Sequence, residues 1–138
     1  MTAQRNSVAG IALDGERIFI AHRKGGGDLG GKWEFPGGKV KQNESAEAAL
    51  IREYREELEL EVSVGGHIAS SSFEHNGTAF TLDAYRIFFE SPENIKLAEH
   101  TEWRWALLDE IRALDFADSD RGLFAALEAY IKRQPRIE

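Results

Sequence analysis

Residues 38–60, GKVKQNESAEAALIREYREELEL, carry the reading of the whole chain. From Glu44 or Ser45 to about Leu58 the residues are strong helix formers without glycine or proline, and Leu50, Ile51, Tyr54 and Leu58 fall on one side at helical spacing. An amphipathic helix is predicted here. Glu53, Glu56 and Glu57 stand at i, i+3 and i+4, so their carboxylates share one face within reach of one another. Like charges so placed repel unless something compensates. One compensator is a hard divalent cation, because magnesium and manganese prefer carboxylate, carbonyl and water oxygens. The other is solvent, with Arg52 and Arg55 easing an ordinary acidic face.

Just upstream, Pro36-Gly37-Gly38-Lys39 forms a turn whose glycines let backbone carbonyls and amides approach a metal or phosphate. The glycine-rich stretch from Lys24 to Gly38, interrupted by Trp33-Glu34-Phe35-Pro36, predicts a shaped loop with a short strand inside it. Within it, Gly26 to Lys32 imitates a P-loop, but Trp33 replaces the magnesium-binding Ser or Thr and no helix is expected to follow. The opening segment, Ser7 to Leu13, the Asp14-Gly15 turn and the apolar run from Arg17 to Arg23 predict a β-hairpin.

Beyond the helix, strands are predicted at Glu61–Val64, Ile68–His75, Ala79–Phe89 and Glu102–Leu107, with Asn76-Gly77 as a turn. A last helix should run from about Ser119 to Arg133, burying Leu123, Phe124, Leu127 and Ile131. The sum is one mixed α/β domain over residues 1–138, without repeats.

Among the 138 residues there is no cysteine, which removes disulfides, thiolate zinc sites and cysteine nucleophiles. The N-terminus lacks a signal-peptide pattern and no apolar run reaches membrane length, so a soluble cytoplasmic protein without a membrane partner is expected. A net charge of -7 disfavours a nucleic acid polymer as partner, since such binding needs a basic surface. An anionic ligand would instead need bound cations.

With Gly38, Glu44, Arg52, Glu53, Glu56 and Glu57 in this register, residues 38–60 resemble the Nudix box, G-x5-E-x7-R-E-U-x-E-E-x-G-U, where U is a bulky aliphatic residue. Two positions depart from it: Tyr54 replaces the usual aliphatic residue, and Glu59 replaces the second glycine and implies a different exit from the helix. The resemblance implies a mixed β-sheet sandwiched between α-helices, an α/β/α arrangement. It makes Glu53, Glu56, Glu57 and the Gly38 carbonyl ligands of magnesium or manganese, with Arg52 holding the glutamates and Glu44 tying the loop to the helix start.

The run Trp33 to Lys39 is similar to that of the MutT-like subgroup, the nucleoside triphosphate pyrophosphohydrolases. That likeness places Phe35 at a base pocket and Asp120 as the residue reading the base, with Asp118 or Ser119 as the cap of the last helix. Glu99, or else Glu102, becomes a further metal ligand and acid–base group, while Arg23 and Lys39 meet phosphate, with Lys24 or Lys32 as substitutes.

The implied reaction is attack of water on the β-phosphorus of a nucleoside triphosphate, giving monophosphate and pyrophosphate, with Glu53 or Glu99 as base. Sanitation of the nucleotide pool follows, on 8-oxo-dGTP or a cytosine nucleotide such as CTP or 5-methyl-dCTP, in a monomer or homodimer. ADP-ribose and dinucleoside polyphosphates are alternative substrates, and a non-catalytic nucleotide-binding module is an alternative class.

Overall fold

The structure is a computed structural model and describes residues 5–26 and 30–134. In chain order the elements are β1 (Arg5–Ile11), β2 (Leu13–Asp14), β3 (Arg17–Arg23), β4 (Trp33–Glu34), β5 (Gly37–Lys39), α1 (Ala46–Leu58), β6 (Ser63–His75), β7 (Thr78–Phe88), β8 (His100–Ala106), α2 (Leu108–Arg112), α3 (Asp118–Arg121) and α4 (Phe124–Lys132). One sheet has the order β5-β1-β7-β6; the other runs β2-β3-β4, with β8 also paired to β3. The pairing of β1 with β7 is parallel and every other strand pairing is antiparallel, so the sheet structure is mixed.

Strand alternation divides the core in two. Ile18 and Ile20 join Ala9, Ile11, Leu82 and Ala84 in a cluster closed by residues of α2 and α4, among them Leu108, Ile111, Phe124 and Leu127. Phe19 and Val8 point the other way and pack with Leu50, Tyr54 and Leu58 of α1. Helices therefore cover both faces of the strands, as the family resemblance implies. Each fully buried aliphatic side chain contributes about 2 kcal/mol, against a few tenths for differences in helix propensity, so docking holds α1 in place. Tyr54, 1% exposed, occupies its aliphatic position because residue 10 is glycine, where a Cβ would collide with the Tyr54 hydroxyl.

At the start of α1, Ser45 Oγ accepts from the Ala48 amide at 3.0 Å. Its end corrects the expectation of an altered exit. Glu59 adopts the left-handed conformation (φ 50°, ψ 41°) that glycine favours, and its amide donates to the Arg55 carbonyl at 3.1 Å, as in an αL cap, while the Leu60 amide reaches back to the Tyr54 carbonyl at 3.2 Å. A side chain in that conformation costs about 1 kcal/mol, and a carboxylate near the negative end of the helix dipole adds to the penalty. Glu59→Gly should therefore raise the melting temperature by about 3 °C, measured by circular dichroism; a lower value would show that Glu59 holds a compensating contact.

Several boundaries differ from the predicted ones. Only Leu13 and Asp14 pair with β3, because the chain changes sheets at Ala12 and β1 goes to β5 and β7 instead. The two strands expected at 61–64 and 68–75 are one, β6, whose register shifts between Val64 and Ala69 around Gly65 and Gly66. The expected last helix is broken into α3 and α4 at Gly122-Leu123, where Gly122 lies so close to Ser71 that a Cβ would strike its hydroxyl. Helix α2 was not foreseen. After Lys32 comes the strand β4 rather than a helix, as expected for a false P-loop, although residues 27–29 of that segment lie outside the described residues. Among the described residues no helix is long and apolar enough to cross a membrane.

Candidate active site

The glycine turn meets the glutamate helix through β5, which pairs with β1 in the register Ala9↔Gly37, Val8↔Gly38 and Ser7↔Lys39. A Cβ on Gly38 would lie 2.5 Å from Glu53 Cδ and 2.6 Å from Glu53 Oε1, so any other residue would displace the carboxylate from its present position.

Arg52 organises the surrounding acids. Its Nε and Nη2 donate to the two oxygens of Glu44 at 2.7 and 2.9 Å, Nη1 donates to Glu53 at 2.8 Å and to Glu56 at 3.4 Å, and Nη2 also reaches the Lys39 carbonyl at 3.0 Å. Glu44 is further tied to the loop through the Lys41 amide at 2.9 Å. The hydrogen bond from Arg52 holds the Glu44 carboxyl down to about 2, and the same bond raises the pKa of the guanidinium.

Glu57 contrasts with this paired group. Its Oε2 is buried with no partner among the described residues. Burial, then the negative charges of Glu34 and Glu53, push its pKa up to about 9, with Arg23 opposing. Glu56, by contrast, faces solvent.

Behind Glu57 lie two residues to which the sequence reading gave no role. His100 Nε2 is 2.8 Å from Glu34 Oε2, which also accepts from Arg23 Nη1 at 3.2 Å. Glu34, Glu57 and His100 each bring one potential ligand atom within 4.8 Å of the others. Burial works against the charge on Arg23, but Glu34, Glu57 and Glu99 outweigh it and raise its pKa, which sets Glu99 within electrostatic reach of the same cluster. Glu99 itself is exposed, and its carbonyl accepts from the Lys24 amide at 3.0 Å; Glu102 is exposed too and sits within β8, opposite His22.

A cleft of about 750 Å³ runs beside this cluster. Arg23, Glu34, Phe35, Gly38, Lys39, Asp118, Ser119 and Asp120 line it; Glu53, Glu56, Glu57 and Glu99 do not. Phe35 is 2% exposed and packs edge-on against Phe116, so it belongs to the core as much as to the cleft. Its amide donates to Asp120 Oδ2 at 2.9 Å. Burial, with the charge of Glu34, raises the Asp120 carboxyl to about 8 despite that bond. Lys39 holds its ammonium 5.7 Å from the Phe80 ring centroid. The expected capping role of Asp118 or Ser119 is corrected: Ala117 occupies the N-cap of α3, fixed by its amide bond to the Trp33 carbonyl.

The NUDIX domain model matches residues 3–127. The chain belongs to the Nudix family. A Mycobacterium tuberculosis relative named "Putative 8-oxo-dGTP diphosphatase 2" is 38% identical over 123 residues, covering 87% of this chain and 85% of its own. The CTP pyrophosphohydrolase of Escherichia coli is 34% identical over 131 residues, covering 93% and 94%. A solution structure of an Escherichia coli protein superposes with a TM-score of 0.84 at 33% identity, over 97% of this chain and 95% of that one. The crystal structure of a MutT protein from Methanosarcina mazei, at TM-score 0.82, 22% identity and coverage of 96% and 98%, attests the same fold. The chain is thus a Nudix hydrolase acting on phosphorus-containing anhydrides, of the 8-oxo-dGTP and CTP pyrophosphohydrolase type.

Nudix hydrolases use a divalent metal. The residues here fit one, since Glu57 has a buried oxygen without a partner among the described residues and its neighbours Glu53 and Glu56 add further carboxylate oxygens. This fit has a measurable consequence. The folded pKa values of Glu57 and Asp120 stand near 9 and 8, above the ordinary values of 4.5 and 3.8. The folded protein thus keeps protons that the unfolded chain releases, and that stability is lost as pH rises through about 8 to 9. Metal-free protein should melt at progressively lower temperature from pH 5 to pH 9. If Glu57 holds a cation, the rise in melting temperature on adding magnesium should grow over the same range, because cation and proton would compete for its carboxylate. A magnesium effect independent of pH would contradict this account.

Proposed function

We propose that this hydrolase converts a nucleoside triphosphate to the monophosphate and pyrophosphate, using magnesium or manganese held by Glu53, Glu56, Glu57, Glu99 and the Gly38 carbonyl. The observation that carries the reading is the single cleft that borders Gly38, Arg23 and Lys39 and also Phe35 and Asp120. On this reading one cleft would take both the phosphate and the base end of the substrate.

A cation bound at the glutamates offsets the charge of the polyphosphate and makes water a stronger acid. The protein's own residues supply the rest. Arg23 and Lys39 meet phosphate oxygens, the Arg52 network keeps Glu53 against Gly38, and Glu99 or Glu53 takes the proton of the attacking water. With its carboxyl raised to about 8, Asp120 is mostly protonated at neutral pH and offers both a donor and an acceptor. Such a pair complements the O6 and N7–H edge of an 8-oxoguanine and equally the N3 and N4–H edge of a cytosine. Removal of such nucleotides from the cytoplasmic pool is the role this chemistry serves.

The deciding experiment is a panel of 8-oxo-dGTP, dGTP, CTP, 5-methyl-dCTP, ADP-ribose and a dinucleoside polyphosphate, each with and without magnesium. Monophosphate and pyrophosphate should appear with magnesium, fastest for the 8-oxoguanine or a cytosine nucleotide. Release of inorganic phosphate instead, or a preference for ADP-ribose, would overturn the reading.

A further inference from the structure

His100 is 1% exposed at the first position of β8, and its partner Glu34 is 6% exposed. Burying an imidazole and a carboxylate costs free energy unless they are paired, and an apolar pair would fill the same core space without that cost. The bond of 2.8 Å at Nε2 is best made by the tautomer carrying its proton there, which leaves Nδ1 as a buried acceptor without a partner among the described residues.

What the pair joins explains its presence. Glu34 ends β4, three residues before Gly37, while His100 directly follows Glu99. The segment leading to Glu99 is also pinned to the end of α1: the Lys96 amide donates to the Leu58 carbonyl and the Ala98 amide to the Glu57 carbonyl, both at 3.1 Å. Glu99, itself exposed, therefore sits on backbone that is fastened on its N-terminal side to the glutamate helix and on its C-terminal side to β4.

We infer that the buried His100–Glu34 pair is a positioning element of the hydrolytic site, fixing the backbone that presents Glu99 against Glu57. The inference rests on the hydrolytic reading above, with Glu99 as an acid–base or ligand group. Neither residue of the pair need touch the substrate to act in this way.

The test compares His100→Leu, which fills the space without the hydrogen bond, with His100→Gln, which keeps a donor near Nε2. Each is made alone and combined with Glu99→Gln, and kcat, KM and melting temperature are measured on the best nucleotide of the panel. His100→Leu should stay folded, with KM little changed and kcat lower by about 10- to 100-fold, as for other residues that orient metal ligands. His100→Gln should recover most of the rate, and adding His100→Leu to Glu99→Gln should cost little more than Glu99→Gln alone. The inference falls if His100→Leu is as fast as wild type, if His100→Gln is as slow as His100→Leu, if Glu99→Gln has no effect, or if the two losses multiply. Wild type silent on every nucleotide would overturn the functional reading itself, and the inference with it.

Discussion

Glu57→Gln should lower the rate of anhydride cleavage by about a thousandfold while making the metal-free protein more stable above neutral pH. The first half follows from the proposed role of Glu57 as a ligand of the cation: several kcal/mol of transition-state stabilisation are at stake, at about 1.4 kcal/mol per tenfold in rate. The second half follows from the buried, unpartnered Oε2 and the carboxyl raised to about 9. A neutral amide removes the repulsion from Glu34 and Glu53, so the native state no longer has to hold a proton to stay folded. Steady-state kinetics in saturating magnesium and melting curves in chelator at pH 8.5 measure the two halves separately. Loss of both activity and stability would mean that Glu57 is structural, and retention of activity would remove it from the metal site.

Gly37→Ala should be the most damaging small substitution to the fold. A Cβ there would run into the Val8 carbonyl oxygen and lie 2.9 Å from Ala9 Cα, both backbone atoms of the strand that β5 pairs with. Backbone cannot turn aside as a side chain does, so the pairing itself must open. Overpacking of this kind costs up to about 3 kcal/mol, which for a domain of this size lowers the melting temperature by about 10 °C. The damage should extend to catalysis, because β5 also carries Gly38 and the Lys39 carbonyl that Arg52 grips. A melting temperature within a degree or two of wild type would show that β5 is not held as described.

Local chemistry explains what the sequence disclosed and what it concealed. Helix α1, its Ser45 cap and the Arg52–Glu44 link lie within a short segment whose residue types and spacing already dictate their geometry, so they were legible in advance. The glycine turn was legible for the same reason. Glu34 and His100 were not, because they are 66 residues apart and nothing near either one announces the other. A carboxylate inside an otherwise aromatic run, and a histidine directly after an expected catalytic glutamate, were the available hints. The departure of β1 into the other sheet was hidden likewise, since its parallel partner β7 begins at residue 78. The exit at Glu59 misled for a different reason: the two backbone bonds and the buried Leu60 hold the left-handed turn against the preference of the side chain.

The docking of residues 96–98 on the end of α1 ties motion to chemistry. The carbonyls of Glu57 and Leu58, which a helix would ordinarily leave to water, are taken by Ala98 and Lys96. The segment carrying Glu99 cannot swing outward without stripping that helix end, nor can the last turn of α1 fray without letting Glu99 drift. Glu57 and Glu99, the proposed ligand and acid–base group, consequently move as one mechanical unit, and slow exchange of the Lys96 and Ala98 amides with deuterium would be its signature.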